Sequence, residues 1–219
     1  MKTAILFDLD GTLLDTLGDL HSSTNAVLRQ FGYPERTMEE VRRFVGNGAR
    51  VLIQKAVPAG EESSVDAVLT AFQSYYAAHC DILTRPYDGI PELLTALGET
   101  YPLAVVSNKP DRAVKELAKI YFPALYARGE STDCPRKPAP DMVHMAMQAL
   151  GADRCIYVGD SEVDVLTAKN AGVPCIAVTW GFRDVETLRN AGAQHFCHRA
   201  EDVEKCIEEI LKREQNHGK

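Results

Sequence analysis

The stretch FDLDGTLLD (7–15) sets two carboxylates, Asp8 and Asp10, directly after the apolar run AILF (4–7). Desolvating an ion is expensive, so acids at the end of a buried segment call for a metal, a cation or a reaction. Three later stretches carry complementary groups. LAVVSNK (103–109) offers the Ser107 hydroxyl, the Asn108 amide and backbone N–H groups to an oxyanion. RKPAPD (136–141) holds Lys137 before two prolines expected to open a helix, which restricts the backbone around a cation. CIYVGDSEVD (155–164) brings Asp160 and Asp164 after another apolar run, with Gly159 permitting a tight turn. Asp8, Asp10 and Asp160 together suit a hard divalent cation such as Mg²⁺, which takes oxygen ligands and is completed by substrate phosphate. Lys137 and Ser107 then supply phosphate contacts, and a carboxylate is a competent nucleophile in phosphoryl transfer.

Each feature has a structural explanation when taken alone: a helix cap in SNKPD, a solvated Lys137, an N-cap at Asp160 or Ser161. Their recurrence at successive strand ends points to one site instead. AILF, LAVV (103–106), CIYV (155–158) and CIAV (175–178) are short apolar runs of the kind buried on both faces of a parallel sheet. DRAVKELAKIY, PDMVHMAMQALG and EVDVLTAKNAG between them have helical spacing, the last two ending at glycines suited to helix C-termini. The expected fold is therefore α/β, a doubly wound parallel sheet, whose ligands lie beyond the carboxyl ends of its strands. In a strand that persists to Asp10, Asp8 and Asp10 face the same side.

Residues 16–85 break the rhythm. Leu17, Leu20, Thr24, Val27, Leu28 and Phe31 recur at helical intervals, and EEVRRFV, ARVLIQKAV and VDAVLTAFQSYYAAH follow, with no convincing strand. This span is expected to be an all-helical insertion that rejoins the sheet near RPYDG (85–89). The domains are then 1–15 with 86–219 for the core and 16–85 for a helical cap. The terminal KREQNHGK is expected to fray.

The 24 Lys and Arg against 31 Asp and Glu leave a net charge of −7, which argues against broad binding to nucleic acid or an anionic membrane. Six cysteines without CxxC or metal-like spacing suit reduced thiols in a cytoplasmic protein; Cys155, Cys175 and Cys197 fall in predicted strands. The short run before Asp8 does not reach the length of a signal-peptide core. His21, His79 and His144 lie on helical patterns and are expected in surface or packing roles. Trp180 is expected beside the rim of the site.

DLDGTLLDT, VVSNK, RKPAPD and VGDSEVD, in this order, resemble the four motifs of the haloacid dehalogenase-like superfamily, over essentially the whole chain. The helical insertion is similar to the C1-type cap of that superfamily. FVGNGARVLI (44–53) and TWGFR (179–183) are similar to segments of its phosphoglycolate phosphatases. The resemblance implies an Mg²⁺-dependent phosphatase acting on a small phosphomonoester, 2-phosphoglycolate by the cap segments, through an aspartyl-phosphate. Asp8 would be nucleophile and metal ligand. Asp10 would act as general acid and then base, its carbonyl also on the metal. Asp160 would complete the protein ligands, with Asp164 and Thr12 behind them, while Ser107, Asn108 and Lys137 would hold the phosphoryl group. Arg50, following the GNG of 46–48, is the expected partner of the substrate carboxylate, although Gly46, Asn47 and Gly48 can equally join two helices.

Asp10 and Asp160 argue against dehalogenase chemistry. A phosphosugar mutase like β-phosphoglucomutase, or a phosphatase for another small phosphate or pyrophosphate, would use the same machinery. A phospho-accepting receiver module would take its acceptor from a later strand and has no reason for a long helical insertion. A catalytically silent interaction protein would leave the constellation unexplained.

Overall fold

The computed structural model describes residues 1–217. The chain runs β1 (Thr3–Phe7), β2 (Leu14–Asp15), α1 (Leu17–Gln30), α2 (Met38–Phe44), α3 (Ala49–Ala56), a 3₁₀ turn at Glu62–Ser64, α4 (Val65–Ala77) and β3 (Arg85–Pro86). It continues through α5 (Ile90–Gly98), β4 (Leu103–Pro110), α6 (Asp111–Tyr121), β5 (Tyr126–Glu130), α7 (Asp141–Leu150), β6 (Arg154–Gly159), α8 (Glu162–Ala171), β7 (Cys175–Val178), α9 (Val185–Asn190), β8 (His195–Cys197) and α10 (Glu201–His217).

Six strands form one parallel sheet in the order β5-β4-β1-β6-β7-β8. Alternation along each strand feeds two apolar layers. Ile5, Phe7, Val105, Ile156 and Val158 face one, with Ile90 of α5, Leu117 of α6 and Ile207 of α10. Ala4, Leu6, Val106, Cys155 and Tyr157 face the other, with Met142 and Ala146 of α7 and Ala168 of α8. A strand covered on both faces has no polar side to alternate, which is why these strands are written as unbroken apolar runs. β5, YARGE, lies on the sheet's edge and lacks such a run, so periodicity did not mark it. β4 continues beyond LAVV to Pro110, so Ser107 and Asn108 stand within the strand's last turn of pleat rather than after it. α7 and α8 end at Gly151 and Gly172, both left-handed, and α10 stays helical to His217, further than the expected fraying; residues 218–219 lie outside the described residues. No helix among the described residues is long and apolar enough to cross a membrane.

β1 lies between β4 and β6, and the chain visits one side of it before crossing to the other. That reversal opens a crevice beyond the carboxyl ends of the three strands. The four helices of residues 17–77 sit over it. Their entry and exit are paired with each other: β2 and β3 form a two-stranded antiparallel ribbon, Leu14 opposite Pro86 and Asp15 opposite Arg85. Asp19 in the first turn of α1, only 2% exposed, strengthens this junction by accepting from the backbone N–H of Leu83 (3.0 Å to each oxygen) and of Thr84 (2.9 Å). Asp19→Ala removes the acceptor of both amides, that of Thr84 on a residue only 5% exposed, so it should destabilise the fold by about 2–4 kcal/mol in thermal or urea unfolding. Loss of less than about 0.5 kcal/mol would show that the junction is held by the ribbon and the apolar contacts alone.

Candidate active site

Lys137 reaches the crevice from the loop after β5. Its Nζ donates to Asp8 Oδ1 at 2.7 Å, to Asp164 Oδ1 at 2.7 Å and to the Tyr157 hydroxyl at 3.0 Å, which engages all three of its protons. Asp164 is the N3 residue of a capping box on α8: its Oδ2 accepts from the Ser161 N–H (3.0 Å) and hydroxyl (2.6 Å). The Tyr157 hydroxyl, shared with the Val106 carbonyl, is 3.2 Å from Asp164 Oδ1.

Asp160, at the end of β6, is gripped from two sides. The Thr12 hydroxyl donates to Oδ1 at 3.2 Å and the Phe182 N–H to Oδ2 at 2.6 Å. Gly11, at φ +86°, and Gly181 approach so closely that a Cβ on either would overlap the Asp160 carboxylate. Asp10 accepts from the Thr16 hydroxyl and from Lys109 Nζ, both at 2.6 Å and both on Oδ1. Oδ2 of Asp8 and Oδ2 of Asp10 receive no donor from the described residues, and both acids line a cavity of about 460 Å³ between the sheet and the helices.

Burial raises Asp8 to about 7, with Asp164 adding to the rise and Lys137 opposing it. Asp160 is raised as well, by burial and then by Asp164 and Asp8. For Lys137 burial works toward a lower value, but Asp164 and Asp8 outweigh it and hold the ammonium well above its usual range. Asp8, Asp10, Asp160 and Asp164 face Lys109 and Lys137, so two negative charges are left without a lysine. That surplus fits one divalent cation. Asp8, Asp160 and Asp164 each bring an oxygen within 4.8 Å of the others. Asp164 already has its lone pairs engaged by Lys137, Tyr157 and Ser161, whereas Asp8 Oδ1 has Lys137 as its one donor and Asp160 keeps acceptor capacity. Asp8 and Asp160 are the pair fitted to ligate, and Asp164 is fitted to hold Lys137.

The structure thus brings Asp8, Asp10, Ser107, Asn108, Lys137 and Asp160 to one cavity, with Thr12 and Asp164 behind them. Ser107 Oγ accepts from the Lys109 N–H at 3.2 Å and keeps its own proton to donate. The Asn108 side chain is committed to the protein: it donates to the Gly46 and Lys137 carbonyls (3.1 and 3.0 Å) and accepts from the Lys137 N–H (2.7 Å). Gly46 and Gly48 line the cavity. Trp180 caps the rim through a 3.0 Å bond to the Thr12 carbonyl. Arg50 is not among the residues brought to this cavity. Its guanidinium pairs with Asp66 of α4 at 2.6 Å on a half-exposed side chain, because α3 turns Leu52, Ile53 and Ala56 inward and Arg50 outward.

Four residues of the site escaped the sequence analysis. Lys109 and Tyr157 are buried polar groups inside apparently ordinary strand segments; the only cue was a charge in SNK before a proline. Tyr76, on α4, looked like a packing residue of an amphipathic helix. Arg183, in TWGFR, pairs with Glu162 at 2.9 Å and donates to the Arg42 and Val45 carbonyls at 3.0 and 2.5 Å, tying the end of α2 to the core. Nothing local to the sequence signals that contact.

The profile of the family described as haloacid dehalogenase-like hydrolase matches residues 5–178. The chain is 39% identical to the phosphoglycolate phosphatase of Agrobacterium fabrum, over 82% of each chain. It is 36% identical to the N-acetylmuramic acid 6-phosphate phosphatase of Pseudomonas aeruginosa, again over 82% of each. A crystal structure from Lactobacillus delbrueckii subsp. bulgaricus, of a provisionally named phosphoglycolate phosphatase, superposes with a TM-score of 0.88 at 39% identity, covering 94% of this chain and 99% of that one. The chain belongs to the haloacid dehalogenase-like hydrolase family, as an enzyme of the phosphoric monoester hydrolase class.

If the surplus charge is a cation site, divalent cation will raise the melting temperature of the protein, by an amount equivalent to about 2.7 kcal/mol at a free concentration of a hundred times Kd. Asp160→Asn should erase the shift, and Asp66→Asn, which breaks only the surface pair with Arg50, should leave it intact. A wild-type melting curve indifferent to Mg²⁺ would remove the metal from the account.

Proposed function

We propose that this protein is an Mg²⁺-dependent phosphatase that hydrolyses phosphoglycolate through an aspartyl-phosphate on Asp8. The observation that carries the proposal is the asymmetry of Asp8: one oxygen is held by Lys137, the other is bare and faces the cavity beside the equally bare Oδ2 of Asp10. Held so, Asp8 is oriented for attack and cannot rotate away.

Asp8 Oδ2 attacks the phosphorus while the bond to the leaving oxygen breaks, and Asp10 delivers a proton to that oxygen. A water then attacks the aspartyl-phosphate, giving its proton to Asp10, and the acyl–phosphate bond breaks to release inorganic phosphate and restore Asp8. Ser107 and backbone N–H groups of the β4 end hold the phosphoryl oxygens, and the Lys137 ammonium, bound to Asp8, Asp164 and Tyr157, sets positive charge beside them. Bound Mg²⁺, held by Asp8, Asp160 and the Asp10 carbonyl, would neutralise charge between the acids and the phosphoryl group. Residues 16–85 act as a cap that closes over the substrate about the β2–β3 ribbon and keeps competing water out.

The names of the relatives support phosphoglycolate. A second candidate substrate class is a sugar phosphate: one relative at 36% identity is named for such a compound. The two are separated by kcat/KM on phosphoglycolate and on a hexosamine 6-phosphate. Asp8→Asn should abolish phosphate release from both, and Asp10→Asn should lower kcat by about 10² to 10⁴. Chelation should abolish turnover, with recovery on adding Mg²⁺. An Asp8→Asn enzyme that still turned over would overturn the covalent mechanism.

A further inference from the structure

We propose that Lys109 and Tyr76 form the pocket for the anionic end of the leaving group, a carboxylate one methylene away from the scissile oxygen. This rests on the roles proposed above for Asp8 and Asp10. In an in-line displacement the leaving oxygen lies opposite the nucleophile, on the side of the acid that protonates it. Lys137 stands on the Asp8 side with every donor engaged, whereas Lys109 stands on the Asp10 side, 2.6 Å from Oδ1. A leaving group as short as glycolate places its carboxylate within a few ångströms of the general acid, and Lys109 is a cation at that distance.

The other cations that line the cavity are committed elsewhere. Arg183 is bound to Glu162 and two carbonyls, and Arg112 pairs with Glu116 on an 85% exposed side chain. Lys109 is ion-paired with Asp10 through one of its three protons; its side chain is 3% exposed and its Nζ lies 4.8 Å from the centroid of the Tyr76 ring. Tyr76 supplies the second, independent observation. It is only 4% exposed, it lines the cavity, and its hydroxyl makes no well-aligned hydrogen bond. That hydroxyl stands against the Lys109 ammonium, and a ligand oxygen in reach of both groups would complete its hydrogen bonding in a buried place where a poorly satisfied hydroxyl is costly. Leu20, Phe72 and Ala113 line the same cavity, and such a dry apolar wall accommodates a methylene and strengthens the attraction of the ammonium for an anion.

The test is the ratio of kcat/KM for phosphoglycolate to that for ethyl phosphate, which has the same length and lacks the carboxylate. Both substrates use the same phosphoryl machinery, so a disturbance of Asp10 cancels in the ratio. Wild type should favour phosphoglycolate. Lys109→Gln should lower the ratio roughly ten- to a hundredfold, and Tyr76→Phe, which removes one hydroxyl and keeps the ring, by about three- to tenfold. Should Lys109→Gln fail to fold, Tyr76→Phe decides. A preference for phosphoglycolate that survives in the foldable variants overturns the subsite and leaves the proposed function standing. A wild-type enzyme indifferent to the carboxylate overturns both.

Discussion

Lys137 stands between Asp8 and Asp164, 2.7 Å from each, on a side chain only 2% exposed. An ammonium and carboxylates removed from water lose hydration worth several kcal/mol per ion, and the loss is offset only where every lone pair and proton finds a partner in good geometry. The surrounding structure meets that condition. Tyr157 in mid-sheet takes the third proton, and Ser161 fills the far oxygen of Asp164. Asn108 clasps the Lys137 backbone from β4. Strands β4 and β6, the N-terminus of α8 and the loop after β5 are thereby held in one register around Asp8.

The same arrangement leaves a surplus. Two lysines do not balance four acids, and Asp8 and Asp160 are both pushed toward protonation by burial and by their acidic neighbours. A cation relieves that repulsion, and so does the approach of groups that bring their own counter-ions. Stability and binding are coupled here: the fold keeps its core stable with apolar layers on both faces of the sheet and concentrates its electrostatic tension where ligand is to arrive.

The helical segment is attached on two levels. Covalently it leaves and re-enters through paired strands, with Asp19 bonded to the return backbone. On the opposite side hydrogen bonds to carbonyls tie it to the core: Arg183 to Arg42 and Val45, and Asn108 to Gly46. Bonds of this kind are modest in net free energy and re-form readily. Paired strands on one side and a few hydrogen bonds on the other are what the proposed closing cap requires. It also places a cap residue, Tyr76, directly over a core lysine.

The fold class and most acidic residues were legible in the sequence because both depend on local pattern. A strand buried on both faces must be apolar throughout, and an acid at its end stands out against that run; AILF before Asp8 and CIYV before Asp160 are cases of this. Helices of 17–77 followed from their spacing for the same reason. The edge strand β5 was hidden, since an edge is not obliged to be apolar. What tertiary structure alone decided is which charges meet. Lys109 and Asp10 are 99 residues apart, and Lys137 and Asp8 are 129 apart; sequence spacing carries no information about such pairs. Arg50 was credible from its neighbourhood in FVGNGARVLI, and only the packing of α3 on α4 turned it to Asp66. Residue type states what a side chain can do, whereas its partner is set by the direction in which a packed element points it.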